Sequence, residues 1–160
     1  MADIIGDGKE RWDWVPSVAN IASPTLSELT AGMRISQYMT ADGATGFAPD
    51  TAAAPTSNLE STFDTAVNGR RSFSGTRLRL KRQTTPDTAY TTLIPDATGF
   101  LVRRKSLAAA AAYVAAQPVQ VFPVMCGEAA LMDLEANMPE RYEVPILMTS
   151  QPNLRATVAA

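Results

Sequence analysis

The segment GTRLRLKR, Gly75 to Arg82, most narrows the folds open to this chain, since it puts four positive charges into eight residues, three of them alternating with apolar or neutral neighbours. Thr76, Leu78 and Leu80 fall on one side of an extended strand, and Arg77, Arg79 and Lys81 fall on the other. A strand buried in a parallel sheet reads apolar throughout, so this alternation calls for an antiparallel sheet with one face wet or turned to a partner.

Other segments point the same way. Trp12 and Trp14 recur with period two ahead of Val15, Val18 and Ile21, which predicts an extended segment with two large anchors. Two readings stay open: both tryptophans close the chain's own core, or at least one anchors a neighbouring subunit. MRISQYM (Met33 to Met39), Asn58 to Val67, Thr98 to Arg104, Val119 to Met125, Tyr142 to Thr149 and Leu154 to Val158 all read as strands. Asn68 and Gly69 form a hairpin dipeptide that would join the strand ending at Val67 to the basic strand Ser72 to Arg82. Short helices intervene. Ser23 and Pro24 suit an N-cap and first turn, with Thr25 and Glu28 as an alternative capping box, and Gly32 is placed to end that helix. Pro86 and Asp87 open a helical turn, DTAYTTL. The alanine-rich run Leu107 to Ala116, capped by Ser106 and stopped by Pro118, predicts helix by propensity.

Two stretches resist burial. Residues 1–11 are mostly polar and form a candidate N-terminal arm. Residues 41–58, ADGATGFAPDTAAAPTSN, hold Phe47 as their only member outside the set Ala, Asp, Gly, Thr, Pro, Ser and Asn. A structureless insert of this length in a compact domain is uncommon. Ordering it costs on the order of 1 to 2 kcal/mol per residue in backbone entropy, which a partner surface would have to offset. At 160 residues the chain has room for one well-buried core, so 1–160 reads as a single domain.

Composition removes whole classes of chemistry. The chain has no histidine, which excludes Ser-His-Asp and Cys-His catalysis and the commonest zinc sites, and its lone cysteine, Cys126, excludes an intramolecular disulfide. GDGK, Gly6 to Lys9, lacks the glycine spacing and following Ser or Thr of a phosphate loop, and Asp42 with Gly43 lacks the spaced acids of a calcium loop. No cofactor, metal or catalytic residue is predicted, and the chain reads as a non-enzyme. Acids in the first residues leave no apolar core for a secretory signal, so the expected compartment is the cytoplasm. Ser106 to Gly127 carries no charge, but Gln117, Pro118, Gln120 and Pro123 interrupt it, so no membrane span is expected.

Charge is segregated along the chain. Fourteen Lys and Arg against sixteen Asp and Glu give a net charge of -2, yet the stretch Arg70 to Arg82 holds six bases and no acid. Arg103 to Lys105 adds three more bases, while Glu128, Asp133, Glu135, Glu140 and Glu143 form an acidic segment relieved by Arg141. Two solvated faces would look like this. So would complementary patches repeated across copies of one interface, where charge sets register and rejects wrong partners.

Read together, WVPSVANIASPTLSELTAGMRIS (Trp14 to Ser36), Ala-Asp-Gly at 41 to 43, TAYTTLIPDATGFLVRR (Thr88 to Arg104) and VQVFPVMCGE (Val119 to Glu128) resemble the major tail tube proteins of long-tailed bacteriophages, especially those infecting actinobacteria. The run Ala108 to Ala112 departs from that pattern, and the segment after Glu128 matches it loosely. The resemblance implies a mainly β fold, an antiparallel β-sandwich or barrel with one or two short flanking helices, a long loop (41–58) and extended terminal arms. It implies a virion tail protein, assembled in the host cytoplasm, that forms six-membered rings stacked into a hollow tube. Partners would be further copies of itself, a tape-measure protein, a tail terminator, tail-tip or baseplate proteins, and double-stranded DNA in transit without specific binding.

A conduit that gripped phosphates would retard its cargo, so Arg77, Arg79 and Lys81 are expected to meet acids of the same or a neighbouring subunit, with Glu128 to Glu143 the first place to look. The expected subunit-contact residues are Trp12, Trp14, Phe47, Arg77, Arg79, Lys81, Arg82, Glu128, Asp133, Glu135, Glu140 and Glu143. Charge reversal at Arg79 is expected to impair assembly and leave the subunit folded. Competing readings are an oligonucleotide-binding barrel, with Tyr38, Phe73 and Tyr90 as a stacking platform, or another virion protein such as a tail terminator or capsid decoration subunit.

Overall fold

A computed structural model describes residues 3–160. In chain order the elements are β1 (Arg11–Val15), α1 (Leu26–Thr30), β2 (Met33–Arg34), β3 (Met39–Thr45), β4 (Asp50–Pro55), β5 (Ala66–Ser72), β6 (Arg77–Lys81), α2 (Thr88–Thr92), β7 (Thr98–Arg104), β8 (Pro118–Cys126), β9 (Ala130–Leu131), β10 (Arg141–Met148) and β11 (Asn153–Thr157). The fold is mainly β, with a curled antiparallel sheet forming a half-barrel and two short helices beside it.

Along the main sheet the strands run β2-β1-β7-β8-β10-β6-β3, with β11 beside β8 and β9 beside β10, and every pairing is antiparallel. One apolar cluster joins Trp12 and Trp14 of β1 to Leu101, Phe122, Val124, Tyr142, Val144 and to Leu78 and Leu80 of β6. Strands that far apart in the sheet order share a core only if the sheet curls around it. A second cluster covers the opposite face, where Leu29 of α1 and Val18 pack against Val15, Val102, Val119, Val121 and Val158. With both faces covered, β7 and β8 carry near-continuous apolar runs, whereas β6, covered on one face, keeps its strict alternation.

Local chemistry explains the helix boundaries. Thr25 caps α1 as a capping box: its side chain accepts from the Glu28 amide, and the Glu28 carboxylate accepts from the Thr25 amide at 2.8 Å. The cap is therefore Thr25 rather than Ser23, and α1 is a five-residue helix. Asp87 caps α2 by accepting from the Tyr90 amide at 3.1 Å.

Several expectations are corrected. Of Met33 to Met39 only the ends are strand, because Ile35 and Ser36 both donate to the Trp12 carbonyl, at 3.0 and 3.1 Å, and the chain turns there. Residues 41–58 are not a structureless insert. They complete β3 and supply β4, which pairs with β5 as a separate two-stranded hairpin. Asn58 to Val67 is mostly the tip of that hairpin, and Asn68-Gly69 lies inside β5 beside a register shift at Thr51/Ala53. Gly69 suits this place because a Cβ there would stand 3.0 Å from the Ala52 carbonyl oxygen. The hairpin leaves the body where Gly46, at φ +76°, crosses so close to Gly75 that a Cβ would meet its backbone at 2.5 Å.

Leu107 to Ala116 is a chain of turns rather than a helix. Arg104 explains the difference: its guanidinium donates to the carbonyls of Ala108, Ala111 and Ala112 at 2.8, 2.9 and 3.2 Å, and Arg11 adds a bond to Ala111 at 3.0 Å. Charged donors satisfy these carbonyls better than a short helix open to water would. Among the described residues no helix is long and apolar enough to cross a membrane. Of the N-terminal arm, residues 3–8 are exposed, Glu10 is tied down by Arg103, and β1 begins at Arg11.

Candidate functional site

The basic strand meets its acids inside the chain. In the β6–β10 register Arg79 stands opposite Glu143, and Arg77 sits one step along, opposite Pro145. Arg79 donates to Glu143 Oε2 from Nε at 3.2 Å and from Nη2 at 3.0 Å, while Arg77 Nη1 holds Oε1 at 2.8 Å. On its other side Arg79 Nη1 reaches Asp42 of β3 at 2.5 Å, and Thr40 supports that carboxylate at 2.8 Å. The result is a polar ladder, Asp42–Arg79–Glu143–Arg77, across three strands. Burial tends to raise the Glu143 pKa, but hydrogen bonds and charge from Arg79 and Arg77 outweigh it and hold the group below the ordinary glutamate range. Asp42 is held low by the Thr40 hydroxyl and by Arg79, and the Arg79 guanidinium is held high by Glu143 first and Asp42 second.

The remaining expected contact residues divide cleanly. Trp12, Trp14 and Phe47 are only 2%, 5% and 6% exposed and sit in the subunit's own core: Trp12 packs on Phe47 and Phe122 at ring separations of 4.8 and 5.9 Å. Arg82 lies over the Tyr90 ring at 4.4 Å, with Asp87 at 3.9 Å and Glu140 at 4.0 Å. Glu135 pairs with Arg141 at 3.0 Å, which leaves Lys81, opposite Arg141 in the register, without an ion pair among the described residues. Glu128 and Asp133 are exposed and likewise unpaired there.

A buried polar cluster escaped the sequence reading. Asp13 is 0% and Arg104 1% exposed, on the face of β1 and β7 that also carries Val15 and Val102. Asp13 Oδ2 accepts from Arg11 Nε at 2.7 Å and from the Tyr113 hydroxyl, and both Arg11 and Arg104 lie over the Tyr113 ring, at 4.6 and 5.0 Å. Burial, with the Asp13 charge behind it, pushes the Tyr113 phenol well above its usual range, so it stays a donor. The available signal was period two itself, which puts Asp13 beside Val15 and Arg104 beside Val102 on faces that must pack. Burial also pushes the Cys126 thiol up to about 11, leaving it an inert core side chain. Among the described residues no group of three or more His, Cys, Asp or Glu is placed to hold a metal ion.

The β4–β5 hairpin is exposed along most of its length. Its tip presents Leu59 at 103% and Phe63 at 78% exposure, and an isolated two-stranded hairpin is marginally stable in water. At its root a cleft of about 1080 Å³ opens between the hairpin and the β10–β11 turn, lined by Arg71, Phe73, Met148, Leu154 and Arg155 among others. Such features suit a surface that meets another protein surface better than they suit a catalytic pocket.

A family model described as phage tail tube protein matches residues 1–160. Among solved structures, a chain in the cryo-EM structure of the anti-feeding prophage baseplate, 6-fold symmetrised, is similar with a TM-score of 0.61 at 8% identity, covering 96% of this chain and 96% of that chain. At that identity the likeness is one of fold. No curated protein matches the chain in sequence.

Proposed function

The chain belongs to the phage tail tube protein family, and we propose that it polymerises as stacked six-membered rings to form the tail tube of a long-tailed phage of the kind infecting actinobacteria. The tube is the conduit for double-stranded DNA during ejection. The observation that carries this reading is the family match from one end of the chain to the other. The geometry supports it in two ways. The hairpin exposes Leu59 and Phe63 on a stem that buries little by itself, as an arm awaiting a neighbour would. The cations Arg77 and Arg79 are neutralised by Glu143 and Asp42, so this strand does not offer rows of free charge to passing phosphates.

The proposed partners are neighbouring copies, a tape-measure protein that sets tube length, a terminator at one end and tail-tip or baseplate proteins at the other. The test is negative-stain microscopy and sedimentation of the concentrated protein. Hollow tubes with six-fold end views are expected, together with little affinity for single-stranded DNA. A preparation that stays monomeric at every concentration, or that binds single-stranded DNA with steep salt dependence as an oligonucleotide-binding barrel would, overturns the reading.

A further inference from the structure

We infer that the acidic segment 128–138 of one copy seats in the cleft between the hairpin root and β11 of the next copy; the inference rests on the self-assembly reading above. Much of the charge segregation is resolved inside the subunit, since Arg77, Arg79, Arg82, Glu135, Glu140 and Glu143 all have partners there. Among the described residues Arg71 and Arg155 form no ion pair, and both line the cleft. Phe73, Met148 and Leu154, half-buried against the core, give that cleft an apolar floor.

The acidic segment is its complement. Glu128 and Asp133 are exposed and form no ion pair among the described residues, and between and beyond them Leu131, Leu134 and Met138 are 55%, 84% and 48% exposed. Pairing of β9 with β10 fixes one end of the segment, with Leu131 opposite Tyr142, so its apolar residues are held out rather than free to collapse onto the body. Apolar side chains flanked by acids match an apolar floor flanked by arginines.

Position decides which copy supplies the segment. Its β9 residues Ala130 and Leu131 pair with Glu143 and Tyr142, and the Met132 amide donates to the Arg141 carbonyl, so residues 132–138 lie at the Arg141 end of β10, while the cleft is built around Met148, its last residue. Seven steps of about 3.4 Å separate those two ends by roughly 24 Å. Residues 132–138 cannot fill the cleft of their own chain this way. Two different complementary patches make a head-to-tail contact, which closes into a ring or continues as a stack and gives every copy the same polarity.

The experiment compares the concentration at which polymer forms, by sedimentation and light scattering, for the wild type, Arg71→Glu/Arg155→Glu, Glu128→Lys/Asp133→Lys, and the variant with all four changes. Either reversal alone is expected to raise that concentration about tenfold or more, and the four-fold swap to restore it to within about threefold, while circular dichroism shows all four folded. In a second measurement, oxidation of Arg71→Cys/Leu134→Cys is expected to give a disulfide-linked ladder of oligomers that neither single variant gives, with Cys126 remaining buried. If the wild type polymerises and the reversals do not shift it, or the swap fails to recover it, or no ladder forms, this contact is overturned and the tube reading stands. If the wild type never polymerises, both fall.

Discussion

Arg104 is a cation with 1% of its surface exposed, and its hydrogen-bond partners are the carbonyls of Ala108, Ala111 and Ala112. Burial drives its pKa down, yet the guanidinium remains the group that organises the alanine-rich turns. Arg104→Met keeps much of the side-chain volume and removes every donor, so those carbonyls lose their partners and stability should fall by on the order of 3 kcal/mol in urea denaturation. Amide exchange over 108–113 should speed up more than exchange in β8. Arg79 presents the opposite case, a half-exposed cation between two acids of its own chain. Arg79→Glu would set a third carboxylate between Asp42 and Glu143. The expected loss is about 1–2 kcal/mol in the isolated subunit, read by denaturation at low salt and reduced at high salt. The sequence led to the expectation of impaired assembly with the subunit still folded; the intrachain ladder adds a modest stability cost in the isolated subunit.

At the scale of elements, the hairpin depends on one close crossing. Gly46→Ala would add a Cβ at φ +76°, 2.5 Å from the Gly75 backbone, so the root must open or strain. Melting is expected to show a loss of about 1–3 kcal/mol, and exchange in β4 and β5 should rise above that in β8. How legible such elements were depended on what satisfied them. Strands read from their own pattern, such as β6 and β10, were visible because one pleated face must pack and the period of two records it. Elements decided by distant partners were hidden. The run Ala108 to Ala112 has helical propensity, and the Arg104 side chain overrides it. Asn68-Gly69 has hairpin propensity, but the partner of β5 is β4, so the turn falls elsewhere. Within the candidate site, the pairing of basic strand with acidic segment was foreseeable from charge order. The buried Asp13–Tyr113 contact, spanning a hundred residues, was not.

Across the whole molecule, carboxylates and buried acids set opposite limits on stability with pH. Glu10 is pushed up by burial but pulled further down by Arg103 and Trp12, and Glu28 is lowered by the amides of Thr25 and Ala19; Asp42 and Glu143 are lowered as described above. For each group the folded pKa lies below the unfolded one. Its contribution is therefore present above the unfolded carboxylate range, at about 4, and is lost as pH falls through the folded value. Cys126 works in the other sense. Its folded pKa of about 11 lies above the unfolded thiol value of about 8.5, so the unfolded chain releases this proton first and stability declines as pH rises between the two. Tyr113 and Tyr142, both raised chiefly by burial, extend that decline to higher pH. Stability of the subunit should thus form a dome with its top between about pH 5 and 8. Urea midpoints taken from pH 2.5 to 10.5 check this, and Glu143→Gln should flatten the acid limb while leaving the alkaline limb in place. An acid limb equally steep in that variant would mean that the Arg77–Glu143–Arg79 ladder contributes nothing to the fold.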